Sequence, residues 1–220
     1  MTVPKMPDRA WLYRSGEWDI ESRIQDKDEP ESWVPYTRDT AASPSRVTAI
    51  SQAGLKFLSA LEGGMRLQMY DDGTGKAWDA DHPKGYPTIG VGHLVMDDEM
   101  AELLPGITAE KGLELLKSDC AMAAGAVVAL DDQLTQRLNQ HEFDALVCFC
   151  FNIGVGAFAR STLFRQLTEC ATKDAMRAAV EEQLPRWVFS GGKRLKGLER
   201  RRNETIELFS TGDYVAGWFS

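Results

Sequence analysis

An α+β fold, in which a small sheet-bearing lobe is followed by a mainly helical one, is the architecture this sequence predicts. Two observations carry that expectation. Apolar residues recur at helical spacing through most of the chain after residue 48, and between residues 62 and 95 that rhythm breaks into short alternating runs bounded by Gly and Asp. A third observation sets the boundary. Residues 1–47 lack helical periodicity and close on the turn-like Ala41-Ala42-Ser43-Pro44-Ser45, so they read as an N-terminal extension to a 48–220 domain.

In chain order, Thr48 or Ser51 can cap a first helix carrying Ile50, Phe57, Leu58 and Leu61 on one stripe, closed by Gly63 and Gly64. Residues 65–70 alternate as a short strand, and 88–91 read as a second. Thr108 then caps one long helix with Leu113, Leu116, Cys120, Ala124 and Val127 facing inward. The run from Phe143 to Phe151 is apolar nearly all round, the mark of a central buried helix. Further helices are expected at 161–170, 173–184 and 197–210.

Bulk properties exclude several function classes. The 220 residues are 43% apolar and 26% charged, with a net charge of −8 that disfavours nucleic acid or anionic lipid as a partner. No stretch is long and apolar enough for membrane insertion, and the first residues offer no apolar core of a Sec-type signal peptide. Cys120, Cys148, Cys150 and Cys170 lack metal-type spacing and read as buried free thiols. Charge is uneven along the chain. Residues 62–99 hold eight acidic and three basic residues, whereas 185–202 hold seven basic and one acidic. Trp11, Tyr13, Trp18, Trp33 and Tyr36 make the extension unusually aromatic for a disordered tail, so it reads as a loose extension or as a docking segment for another protein.

Chemistry concentrates between residues 62 and 93. Glu62 falls at the end of the first helix, beside a glycine pair, where the negative end of the helix dipole disfavours a carboxylate's charge. Cleaving a glycosidic bond at neutral pH requires such a group to protonate the leaving oxygen. Asp71 or Asp72 follows the strand and can face the other side of a sugar. By two-residue alternation, Thr88, Gly90 and Gly92 share one face, which offers a hydroxyl and bare backbone with room for a glycan.

The order of these pieces is specific. Glu62, then Arg66-Leu67, then Tyr70-Asp71-Asp72, then Thr88-Ile89-Gly90-Val91-Gly92-His93 resembles the motif of the phage-type lysozymes, glycoside hydrolase family 24. The resemblance continues through Gln140, Phe143, Phe151-Asn152-Ile153-Gly154, Ser161, Leu163 and Trp187. It ends in Gly191-Gly192-Lys193, Gly197-Leu198, Arg200-Arg201-Arg202 and Leu208-Phe209, so that it covers about residues 50–212. It implies a lysozyme-like fold and a muramidase that cleaves peptidoglycan glycan strands without cofactor or metal. Glu62 would be the proton donor, and Asp72 with Thr88 would manage the attacking water. His93 would be a structural neighbour held by a carboxylate. Asn152, Lys193, Arg194 and Arg201 would contact the glycan.

Two departures from the family pattern matter. Gly63-Gly64-Met65 is one residue longer than the family's segment before Arg66, so spacing from Glu62 lands on Asp71 while the Tyr-x-Asp pattern lands on Asp72. Asp72 is preferred, because an extra glycine in the turn leaves the strand's alternation from Arg66 to Tyr70 undisturbed. The link from Asp72 to Thr88 is also longer than the family's. Around residues 73–84 it reads as an exposed flap, with sugar stacking by Trp78 as a second reading and a metal site at Asp79, Asp81 and His82 as a remote third.

The rival readings are a lytic transglycosylase, which the Asp and Thr pair for managing water argues against, and a non-catalytic peptidoglycan-binding module, which an intact Glu62 argues against. Without a signal peptide, release to the cell wall or periplasm would need a holin or a secretion system. The owner would be a phage endolysin, a virion-associated lysin or an antibacterial effector. Residues 1–47 would then dock delivery machinery or an immunity protein.

Overall fold

A computed structural model describes residues 46–215. Apart from its last two residues, the 1–47 extension lies outside the described residues. Helix α1 spans Gln52–Leu61, and of the two possible caps the chain uses Ser51, whose hydroxyl accepts the Gly54 N–H at 2.9 Å. The helix stops where Gly63 and Gly64 adopt φ of 91° and 96°, angles that exclude side chains at low cost. At its start, α1 is anchored to a fully buried carboxylate, Asp144. Asp144 accepts from Ser51 N at 3.0 Å, Ser51 Oγ at 2.5 Å, Gln140 Nε2 at 2.9 Å and Tyr214 Oη at 2.8 Å. A buried carboxylate is tolerated only with such a full set of donors. Residue 54 must be glycine, since a Cβ there would come within 2.6 Å of the Asp144 carboxyl carbon.

The small lobe is a three-stranded antiparallel sheet of β1 (Arg66–Asp71), β2 (Pro87–Gly90) and β3 (His93–Leu94), in that order. The third strand was not expected, because two residues are too short a run to show alternation. Tyr70 pairs with Thr88 and Asp71 with Pro87, but between Arg66 and Tyr70 the register shifts. The strand is therefore not regular from Arg66 to Tyr70, and the preference for Asp72 does not rest on its alternation. On the other edge of β1, the 73–84 insertion folds back, with Ala77 bridged to Tyr70 and the Trp78 N–H donating to Met69 O at 3.1 Å. The insertion is exposed, except that Trp78 packs against the lobe's own core of Met69, Ile89, Val95, Leu103 and Leu115.

The helical lobe comprises α2 (Met100–Leu103), α3 (Ala109–Asp119), α4 (Ala121–Asp131), α5 (Gln140–Ile153), α6 (Val155–Ala159), α7 (Thr162–Glu169), α8 (Lys173–Gln183) and α9 (Lys196–Thr211). The single long helix expected after Thr108 is two helices broken at Cys120, although Leu116, Cys120, Ala124 and Val127 still share the buried side. Residues 142–150 of α5 are all buried, and α1, α4, α6 and α9 pack around them. Between α8 and α9, a 3₁₀ turn (Leu184–Arg186) leads into a hairpin, β4 (Phe189–Ser190) and β5 (Lys193–Arg194). Its two-residue turn needs positive φ at both positions, supplied by Gly191 at 56° and Gly192 at 75°.

All four cysteines are free. Cys120, Cys148 and Cys150 are buried, and Cys170 is half-buried. Burial raises the Cys120 thiol to about 12 and Cys150 to about 11, so both stay protonated and inert. Among the described residues, no helix is long and apolar enough to cross a membrane.

Candidate active site

Glu62 is the residue at which α1 ends and the chain turns into β1. The helix terminus is not its main electrostatic neighbour. Arg201 of α9 donates from Nη2 to Glu62 Oε1 at 2.6 Å, its side chain only 8% exposed against 28% for Glu62. Arg201, expected to contact the glycan, is buried and committed to Glu62 in this structure. The consequence is positional. With Oε1 taken, Oε2 is the oxygen left to face a substrate.

The two aspartates after β1 have opposite fates. Asp71 is 4% exposed, and its oxygens accept three main-chain N–H groups, from Thr74 at 2.9 Å, Lys84 at 2.7 Å and Gly85 at 2.9 Å. Those bonds, Gly85 and Lys84 foremost, hold its carboxyl below the usual range. Asp71 thus staples the two ends of the insertion together. Asp72 is exposed and, among the described residues, its carboxylate accepts only the Tyr86 N–H, at Oδ1 and 2.6 Å.

Thr88 is 4% exposed, and its hydroxyl donates to the Tyr86 carbonyl at 3.1 Å. The main chain of Tyr86 therefore holds both residues, Asp72 through its N–H and Thr88 through its C=O. Because the Thr88 hydrogen is committed, Oγ has only lone pairs to offer and can accept from a water. The open glycine face expected beside Thr88 is absent. A Cβ on Gly90 would meet Ile107 at 3.7 Å and the Gly112 backbone at 4.0 Å, so α3 covers that face and only Gly92 stands in open space.

His93 stands between two carboxylates, with Nδ1 3.0 Å from Asp119 Oδ1 and Nε2 3.2 Å from Glu99 Oε2. It ties β3 to α3 and touches none of Glu62, Asp72 and Thr88 among the described residues. Asn152, in the last turn of α5, gives its Oδ1 to Arg202 at 2.5 Å. Lys193 and Arg194 are exposed on the hairpin, where Arg194 is paired with Glu199. In the insertion, Asp79 Oδ2 meets His82 Nδ1 at 3.1 Å while Asp79 Oδ1 accepts the Asp81 N–H, a self-contained surface turn. Among the described residues, no group of three or more His, Cys, Asp or Glu is gathered to hold a metal ion.

Three holding contacts could not be read from the sequence. Tyr86 acts through its main chain, which no motif can display. The pairings of Arg201 with Glu62 and of Asp119 with His93 join residues far apart in the chain. Only the run Arg200-Arg201-Arg202 on an otherwise amphipathic helix hinted that some of these cations turn inward.

Exposed cations on the hairpin fit an anionic polymer. Replacing Lys193 and Arg194 by Ala together is expected to weaken binding of such a polymer about fourfold at low ionic strength and to flatten its salt dependence. Binding titrations across a salt series check this, and an unchanged salt dependence would leave both residues as solvated surface.

Residues 60–205 match the family model described as phage lysozyme. The chain is 38% identical over 164 residues to the endolysin of Bacillus phage PZA, covering 74% of this chain and 55% of that protein. It thus spans about half the length of the curated relatives matched in this way. A crystal structure of a point mutant of P22 lysozyme is similar with a TM-score of 0.56 and 36% identity, over 74% of this chain and 99% of that one. The muramidase domain of SpmX from Asticaccaulis excentricus is similar with a TM-score of 0.52 and 31% identity, over 75% of this chain and 99% of that one.

Proposed function

The chain belongs to the phage lysozyme family, and from that premise we propose that it is a muramidase. It hydrolyses the β-1,4 bond between N-acetylmuramic acid and N-acetylglucosamine in peptidoglycan, with inversion at the anomeric carbon. The observation that carries this reading is the double hold of the Tyr86 main chain on Asp72 and Thr88. It gives a water two acceptors, Thr88 Oγ and Asp72 Oδ2, and leaves that water's lone pair free for attack.

In this mechanism, the water adds to C1 of the muramic acid ring while the bond from C1 to the bridging oxygen breaks. Glu62 gives its proton to that oxygen, and Asp72 takes the proton shed by the water. Each carboxyl ends in the other's starting state, and exchange with solvent restores both. Arg201 keeps Glu62 turned to the bond through Oε1. Nothing in the step calls for a cofactor. The place of action is the cell wall, reached through a holin or a secretion system. The aromatic 1–47 segment is offered as the contact for that machinery or for an immunity protein.

Stereochemistry tests the proposal. New reducing ends are expected as the α-anomer, observed by NMR before mutarotation equilibrates them. Initial β-anomer would mean a retaining route with Asp72 as nucleophile. A product lighter by one water would make the protein a lytic transglycosylase.

A further inference from the structure

Tyr86 joins a fixed main chain to an exposed ring. Its carbonyl accepts the Thr88 hydroxyl at 3.1 Å and the Asp72 N–H at 3.1 Å, and its own N–H donates to Asp72 Oδ1 at 2.6 Å. The residue held by these three bonds is nevertheless 67% exposed. Among the described residues its ring stacks on no other ring or cation, and its hydroxyl has no hydrogen-bond partner. A lone exposed ring is ordinary on a protein surface. This one stands at the candidate site.

Its place there follows from the strand register. Thr88 pairs with Tyr70 on β1 and with Leu94 on β3, and paired residues share a face of the sheet. Two-residue alternation puts Tyr86 on that face as well. At Gly90 the face is covered by α3, whereas at its other end Tyr86 and Leu94, which is 46% exposed, meet solvent. Two residues of strand span about 7 Å, so the Tyr86 ring is rooted about one sugar residue away from the hydroxyl that holds the water.

A pyranose ring with equatorial substituents is polar at its rim and presents C–H bonds on its faces. The negative face of an aromatic ring complements such C–H bonds, and a ring on a fixed backbone loses little freedom in covering them. We propose that Tyr86 is a specificity-determining residue whose ring stacks on the sugar next to the one being attacked. One residue then aligns the glycan through its ring and the water through its main chain. The inference rests on the muramidase reading.

Tyr86→Ala, Tyr86→Phe and Tyr86→Trp test it, since all three keep the main-chain hydrogen bonds. The substrate is glycan strands of peptidoglycan stripped of their stem peptides. The Ala variant is expected to show a KM about tenfold higher, with most of the loss of kcat/KM in KM, while Phe and Trp stay within about twofold of the unaltered protein. Calorimetric binding of the same strands to the corresponding Glu62→Gln proteins should give the same order, which separates the contact from turnover. A loss mainly in kcat at unchanged KM would reduce Tyr86 to its main chain and overturn the stacking. A Phe variant as weak as Ala would assign the contact to the hydroxyl, and a defect seen only on peptide-bearing walls would assign it to the stem peptide. Either result overturns the sugar contact. If the unaltered protein released no reducing ends but bound the strands in a Tyr86-dependent way, hydrolysis would be rejected and the contact upheld.

Discussion

Glu62→Gln is expected to lower the rate of peptidoglycan hydrolysis by about 10³-fold, the largest effect of any single substitution in the chain. The amide keeps the oxygen that Arg201 needs and loses the proton that the leaving group needs. Without protonation, the departing sugar oxygen leaves as an alkoxide. Folding is affected much less. The amide is neutral, like the acid form that donates the proton, and it still accepts from Arg201, so the cost to stability is no more than about 1 kcal/mol. Reducing-end release and a thermal melt on the same preparation check both parts. A folded variant that retained more than a few percent of the activity would move the acid role to another residue.

The second large effect separates neighbouring aspartates. Asp72→Asn is expected to cost about 10²-fold in kcat with little change in melting temperature, because the amide still accepts the Tyr86 N–H but no longer takes a proton from water. Asp71→Asn should do the reverse. It leaves activity at the level of the folded fraction and lowers stability, since one of the acceptors gripping Thr74, Lys84 and Gly85 becomes a donor facing donors. This stability contribution also has a pH signature. The folded-state pKa of Asp71 lies below its unfolded value, so its contribution is complete above the unfolded carboxylate range, near pH 4. It is lost as pH falls through the lower folded value. The Asp71 variant should therefore be less sensitive to acid in that window than the unaltered protein. If instead Asp71→Asn abolished hydrolysis in a folded protein while Asp72→Asn did not, the roles would be exchanged.

How much of this was legible in the sequence follows from the range of each interaction. Ser51, Gly63 and Gly64 act on their own turn, so the bounds of α1 could be read off directly. Residues 143–151 could be assigned to the core because an apolar surface all round a helix has only one stable destination. The break at Cys120 escaped, because a helix can bend there and still keep one buried stripe. The register shift in β1 escaped because it is a relation between two strands. Within the candidate site, the order of residues singled out Glu62, Thr88 and one of Asp71 and Asp72 as candidates. The groups that orient them, Arg201 and the Tyr86 main chain, enter only when distant segments meet. The same limit hid the tie from Arg201 to Glu62, since a basic run looks alike whether it faces solvent or a carboxylate.

Asp144 has a consequence beyond holding α1 in place. Its carboxylate joins Ser51, just ahead of α1, to Tyr214, just past α9. The start of the first helix and the end of the last therefore converge on one buried carboxylate, away from the turn that carries Glu62. The same convergence couples the ends in folding: fraying at Tyr214 strips a donor from the carboxylate that anchors Ser51. Hydrogen exchange at the start of α1 should accordingly quicken in a Tyr214→Phe chain.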